Sequence, residues 1–196
     1  MEDSMTVPRI APLADPLPAA VADRMARLLP PGMAAPQLFL SVARNEGLFV
    51  QMVDSGWLGP TGLWDRRVLP KPLREAVILR TCVACRNDYE FNLHVQTISA
   101  RMGLSEDQIA DVRAPIPSAA LWDEGQRAVL QMVDALVARR ALDDAEYGRV
   151  RAHHDEATLI EITQLVGLYT GVAMLVGLVR PAFDRYRDGQ PMLART

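Results

Sequence analysis

Glu75, Cys82, Cys85, Asn87, Tyr89, Glu90 and His94 bring acids, thiols and an imidazole together within one short stretch of the chain. A carboxylate beside an imidazole can move protons near neutral pH. Which of the two gives and which takes depends on competing forces: burial raises the glutamate's pKa, whereas a nearby imidazolium lowers it. Cys82-Val-Ala-Cys85 has the spacing of a dithiol, so thiol redox chemistry is a second candidate. Asn87, Tyr89, Glu90 and Cys82 are candidates for contacting a ligand, with Glu75 and His94 as the reacting couple.

The elements that must position these groups follow from their spacing. Glu75, Ile78, Leu79, Cys82 and Arg86 recur at intervals of three and four, so a helix over 69–86 places them on one face. On an ideal helix Cys85 is turned away from that face by about 80 degrees. Arg86-Asn87-Asp88 interrupts the apolar run, and Asn87 with Glu90 three residues on resembles a capping box. A second helix over 87–102 then carries Glu90, Leu93, His94 and Thr97 along one side. Two antiparallel helices joined by so short a break are expected to set Glu75 and His94 on opposite walls of one cleft. The bland alternatives are a first-turn glutamate, a core histidine, two capping residues and two thiols buried as small hydrophobes.

The same residues carry a resemblance. A glutamate followed nineteen residues later by a histidine, here Glu75 and His94, resembles the carboxymuconolactone decarboxylase and alkyl hydroperoxidase D family. Many members carry Tyr-Glu-Trp-x-x-His, and this chain reads Tyr89-Glu-Phe-Asn-Leu-His94. Pro72 to Arg80 is similar to the family's approach to its site, and Met102 to Ile109 to its exit; a weaker likeness runs from about Gln37 to Arg180. The resemblance implies an all-α helical bundle that assembles as trimers or hexamers. It departs at one point: the peroxidase branch places cysteines seven and four residues before the histidine, where this chain has Asn87 and Glu90. A cysteine at a helix start gains thiolate character, which asparagine and glutamate cannot supply. The resemblance therefore implies the decarboxylase-like branch, an acid/base enzyme acting without metal or redox cofactor on a small carboxylated lactone or aromatic-derived substrate. His94 is then the proton donor and Glu75 its partner or base. The alternatives are a thiol peroxidase or disulfide reductase using Cys82 and Cys85, and a non-catalytic oligomeric binding protein.

Composition sets wider bounds. The 196 residues are 49% hydrophobic, enough for one packed domain. A net charge of −3 argues against nucleic acid as a partner, and two cysteines suit a reducing, cytoplasmic setting. Residues 1–16 are proline-punctuated and are expected to form an extended arm, either frayed or laid across a neighbouring subunit. A single helical domain is expected over 17–187 and a tail over 188–196. Helices are expected over 18–29, 37–55, 106–112, 120–139, 143–151 and 157–186. The segment 56–68 has three glycines and two tryptophans; it is either a loop anchored by its tryptophans or a lid whose Arg66 or Arg67 meets a carboxylate. His153-His154-Asp155 has poor geometry for joint metal ligation, since adjacent helical residues diverge by about 100 degrees. The fifteen-residue apolar run from Leu165 to Val179 falls short of a membrane span and is expected to be a helix buried on all sides, its burial completed by another subunit.

Overall fold

The structure is a computed structural model that describes residues 7–186. It is about 57% helical, with nine helices and one two-residue ladder among the described residues. These group into two compact units, one comprising residues up to 66 with 175–184, the other 67–174 with 185–186. The expected tail over 188–196 lies outside the described residues, as do the first six residues of the expected arm.

In the first unit, α1 (Ala19–Leu28) buries Val21, Met25 and Leu28, and its Arg24 holds Asp54 at the end of α3 through two hydrogen bonds of 3.1 and 2.6 Å. The helix expected over 37–55 is broken into α2 (Gln37–Val42) and α3 (Glu46–Asp54). Asn45 causes the break: its side chain accepts from the Leu48 N–H and restarts the helix. Leu48, expected to be buried, is consequently 49% exposed. The described part of the arm is bound along its own chain. Arg9 N–H donates to the Val179 carbonyl, Leu13 N–H to that of Leu40, and Ser41 Oγ to that of Ile10. The glycine-rich loop forms a ladder between β1 (Leu58–Gly59) and β2 (Gly62–Leu63). Leu58 and Leu63 are buried and Trp57 is half-buried, whereas Trp64 is 53% exposed, so only one of the two tryptophans can help to anchor the loop.

The second unit is built around α4 (Lys71–Ala84), which follows Pro70, carries Pro72 in its first turn, and packs against α5 (Asp88–Thr97) and α7 (Glu124–Arg139). The sequence suggests one buried face on α4, yet every residue from Leu73 to Cys82 is buried. Polar α4 side chains must therefore find partners inside. Arg80 does so completely: Nε and Nη2 hold Asp134 of α7 at 2.7 and 2.5 Å, and Nη1 donates to the Val112 and Ala114 carbonyls, both at 2.6 Å. The short α6 (Glu106–Asp111), α7 and α8 (Asp144–Arg151) each open on a complete capping box, at Ser105, Asp123 and Asp143.

Helix α9 (Glu156–Val179) ends seven residues earlier than expected, at Arg180 in a left-handed conformation before Pro181. It is long and apolar enough by composition to cross a membrane, with mean hydropathy 1.8 in its most apolar window. It is not buried on all sides. Leu159, Ile162, Leu165, Val166, Tyr169 and Val172 are buried, whereas Ile160 is 65% and Met174 71% exposed. His153 and His154 follow α8, where His153 packs its Cβ against Gly125 and His154 Nε2 lies 3.3 Å from the Gly125 carbonyl.

Candidate active site

The break between α4 and α5 positions the site. Cys85 caps α4, Arg86 adopts a left-handed φ of 54°, and the Asn87 N–H returns to the Cys82 carbonyl at 2.8 Å. Asn87 then caps α5, its Oδ1 accepting from the Glu90 N–H at 3.2 Å. The expected capping box is only half made, because the Glu90 side chain turns inward instead of back to the cap. Its Oε1 lies 3.4 Å from His94 Nε2, one helical turn on.

Glu75 and His94 do meet, though not across a cleft. His94 Nδ1 lies 3.0 and 3.2 Å from the two Glu75 oxygens, and both residues are buried. Beyond α5 the Ile98 and Ser99 N–H groups both donate to the His94 carbonyl. This tight turn brings Ser99 Oγ to Glu75 Oε1 at 2.6 Å. On the other side of the imidazole, Tyr169 of α9 sets its hydroxyl 3.4 Å from Nε2, with the two rings edge to face.

These contacts fix the charge. Burial alone would lower the His94 pKa, but the Glu75 carboxylate and its hydrogen bond, helped by Glu90, outweigh burial and raise it to about 10. Burial likewise opposes the Glu75 anion; the imidazolium and its hydrogen bond, the Ser99 hydroxyl and Arg74 outweigh it and lower the carboxyl. At neutral pH the couple is a carboxylate and an imidazolium. Burial and the neighbouring Glu90 and Glu75 carboxylates push the Tyr169 phenol well up, so it stays protonated.

The remaining candidates divide. Cys82 is fully buried on the Glu75 side of α4, and burial with the Glu90 and Glu75 charges pushes its thiol well up. Cys85 is half-buried, its Sγ 3.7 Å from Thr170 Oγ1, and burial raises it as well. Tyr89 is buried on α5, one position and so about 100 degrees round from Glu90. Arg113 lies with its guanidinium 3.9 Å over the Phe91 ring. Ser99 and Tyr169 have no counterpart among the residues singled out from the sequence. Ser99 gives no signal before the turn is known. Tyr169 gives a weak one: a tyrosine in an apolar run must find a partner for its hydroxyl.

Residues 60–135, which include α4, α5 and every residue at the break between them, match the carboxymuconolactone decarboxylase family. The match spans the two site helices and part of α7, and supports a likeness to that family over this segment. No curated protein matches the chain significantly. Two solved structures share its fold, both of the debrominase Bmp8. One is a cysteine-to-alanine variant in complex with 2,3,4-tribromopyrrole, 17% identical, with TM-score 0.68 over 92% of this chain and 94% of that one. The other is the apo form, 18% identical, with TM-score 0.66 over 90% and 92%. The match supports the expected likeness to the family, and the expected all-helical class holds.

Proposed function

We propose that this carboxymuconolactone decarboxylase-like enzyme is an acid/base catalyst for a small carboxylated substrate, with His94 Nε2 as proton donor and Glu75 as the base that holds the imidazolium. The observation that carries this reading is the direct Nδ1–carboxylate contact at 3.0 Å, which fixes the ring and leaves Nε2 facing Glu90 and Tyr169. In decarboxylation the C–C bond to the carboxylate breaks, carbon dioxide leaves, and the electron pair passes into a conjugated carbonyl. The carbanion so formed takes the Nε2 proton, and solvent restores it. An imidazolium with a pKa of about 10 suits this step, because the carbanion is far more basic than the donor. Such a step needs an electron sink in the substrate and a proton donor in the protein. The buried Arg74, acting on Glu75, favours an anionic substrate.

The test is carbon dioxide release from γ-carboxymuconolactone and related carboxylated lactones. Glu75→Gln and His94→Gln are expected to lower turnover by about 10²–10⁴-fold with unchanged helical content. Turnover in either variant near that of the parent would overturn the reading. The thiol alternative is disfavoured by the raised Cys82 and Cys85 pKa values, and peroxide consumption that Cys82→Ser abolishes would restore it.

The same reading includes a homo-oligomer. On the face of α9 that carries Ile160 and Met174, a groove of about 480 Å³ is lined by Met132, Tyr147, Leu159 and Ile160. Covering such a surface with a second copy removes apolar area from water. Sedimentation of a monomer at micromolar concentration would contradict it.

A further inference from the structure

Helix α9 carries a narrow seam that the other described residues leave uncovered. Ile160, Gln164, Gly167, Gly171, Met174 and Leu178 follow one another at alternating steps of four and three, so they lie within about 40 degrees of one line along the helix. All are exposed except Gly171, which is half-buried. No charged residue occurs from Ile162 to Val179. The two glycines have no reason in the chain's own packing. Glycine is the poorest helix former after proline, and a Cβ at either position would meet nothing within 4 Å. A second backbone brought close to the seam supplies the reason, since small residues let two helices approach.

The order of side chains along the seam identifies that second backbone. From either end it reads as a large aliphatic, a long flexible side chain, glycine, glycine, a long flexible side chain and a large aliphatic. Such a seam is its own complement when turned end for end. We propose that α9 pairs with α9 of a second copy of this chain, antiparallel about a two-fold axis midway between Gly167 and Gly171. The pairing sets Ile160 against Leu178 of the second copy, Gln164 against Met174 of the second copy, and glycine against glycine. Leu178 of the second copy then meets the groove of about 480 Å³ that Ile160 lines with Met132 and Tyr147.

Charge selects the direction. Glu156 lines the same groove, is 74% exposed and is met by Arg151 at 3.8 Å. The antiparallel pair brings the exposed Arg180 of the second copy within about 3 Å of the level of Glu156 along the axis. A parallel pair sets Glu156 level with Glu156 and Arg180 with Arg180, like charge against like. A lipid surface gains nothing from glycines at the middle of the stripe. The inference rests on the homo-oligomer reading and adds to it the face, the direction and the register.

The experiment is disulfide trapping in the full chain carrying Cys85→Ser, which leaves the buried Cys82 as its one native thiol. Within one chain, residues 164 and 174 are about 15 Å apart along the helix, too far to be bridged. Gln164→Cys combined with Met174→Cys is therefore expected to give a covalent dimer under mild oxidation, and neither single variant to do so. Trapping in a single variant would overturn the pairing. So would a double variant that sediments as an oligomer yet is not trapped, an outcome that leaves the homo-oligomer reading intact, whereas a monomeric parent removes both. Gly167→Ala combined with Gly171→Ala tests the close approach. Circular dichroism is expected to show unchanged helix content, because a Cβ there has room, while the dimer dissociation constant rises by about tenfold or more. An unchanged constant would overturn the pairing, as would a monomeric parent that floats with phosphatidylcholine vesicles.

Discussion

Glu75 and Arg80 stand five residues apart on the same buried helix, and both carry charge into the protein interior. Their surroundings differ in one respect. Arg80 spends its donors on Asp134 and on the carbonyls of Val112 and Ala114, so the residues around it gain fixed neighbours. Around Glu75 the accounting closes on one side only. The carboxylate is satisfied by His94 and Ser99, but beyond the imidazole two contacts are stretched and the second Glu90 oxygen has no hydrogen-bond partner among the described residues. A buried polar network that is complete rigidifies a fold, and one that is incomplete on one side has capacity reserved for something else. The first is a clamp between α4 and α7; the second has the form of a site.

The comparison breaks or sharpens under four changes, in falling order of effect. Arg80→Met removes the clamp and leaves two inward carbonyls without their donor, so unfolding free energy is expected to fall by about 3 kcal/mol. Denaturant titration measures it. Asp134 is itself partly exposed, so little of the loss is the ion pair. Activity per folded molecule should survive, and its loss would show that the clamp belongs to the site.

Ser99→Ala takes from Glu75 a 2.6 Å hydrogen bond and is expected to cost about 2 kcal/mol. The Glu75 carboxyl then rises, which moves the acid limb of a pH–rate profile to higher pH. An unmoved limb would mean that Glu75 is not the group titrating there.

Third, stability depends on pH through the couple. His94 is raised from 6.5 to about 10 on folding, so its contribution is complete below pH 6.5 and is lost as pH climbs toward 10. Glu75 is lowered from 4.5, so its contribution is present above pH 4.5 and is lost as pH falls through its folded value. Thermal melts should therefore weaken from neutral toward pH 10, and His94→Gln should flatten that alkaline slope. A slope unchanged in the variant would place the titration elsewhere.

Smallest is Tyr169→Phe. It removes a contact that is already long, so steady-state kinetics should show turnover down only ~3-fold. A loss near that of His94→Gln would make the phenol a direct proton donor.

The sequence by itself determined the helical class, the break at Arg86–Asp88 and the pairing of Glu75 with His94. These depend on local quantities: apolar spacing along 69–86, Asn87 as a cap, and a histidine one turn after Glu90. It also placed Cys82 on the Glu75 side of α4. What only the tertiary structure decided is how each polar group is satisfied. The Glu90 side chain left its capping role because His94 drew it inward. Ser99 and Tyr169 reached the couple through a turn and a distant helix, contacts 24 and 75 residues apart along the chain. Helix α4 proved buried all round, and α9 proved exposed along one side, though their patterns suggested the reverse. Periodicity reports which faces of an element are apolar. Which of those faces meets a neighbour, and whether a buried donor finds its acceptor, depends on elements far away in the chain.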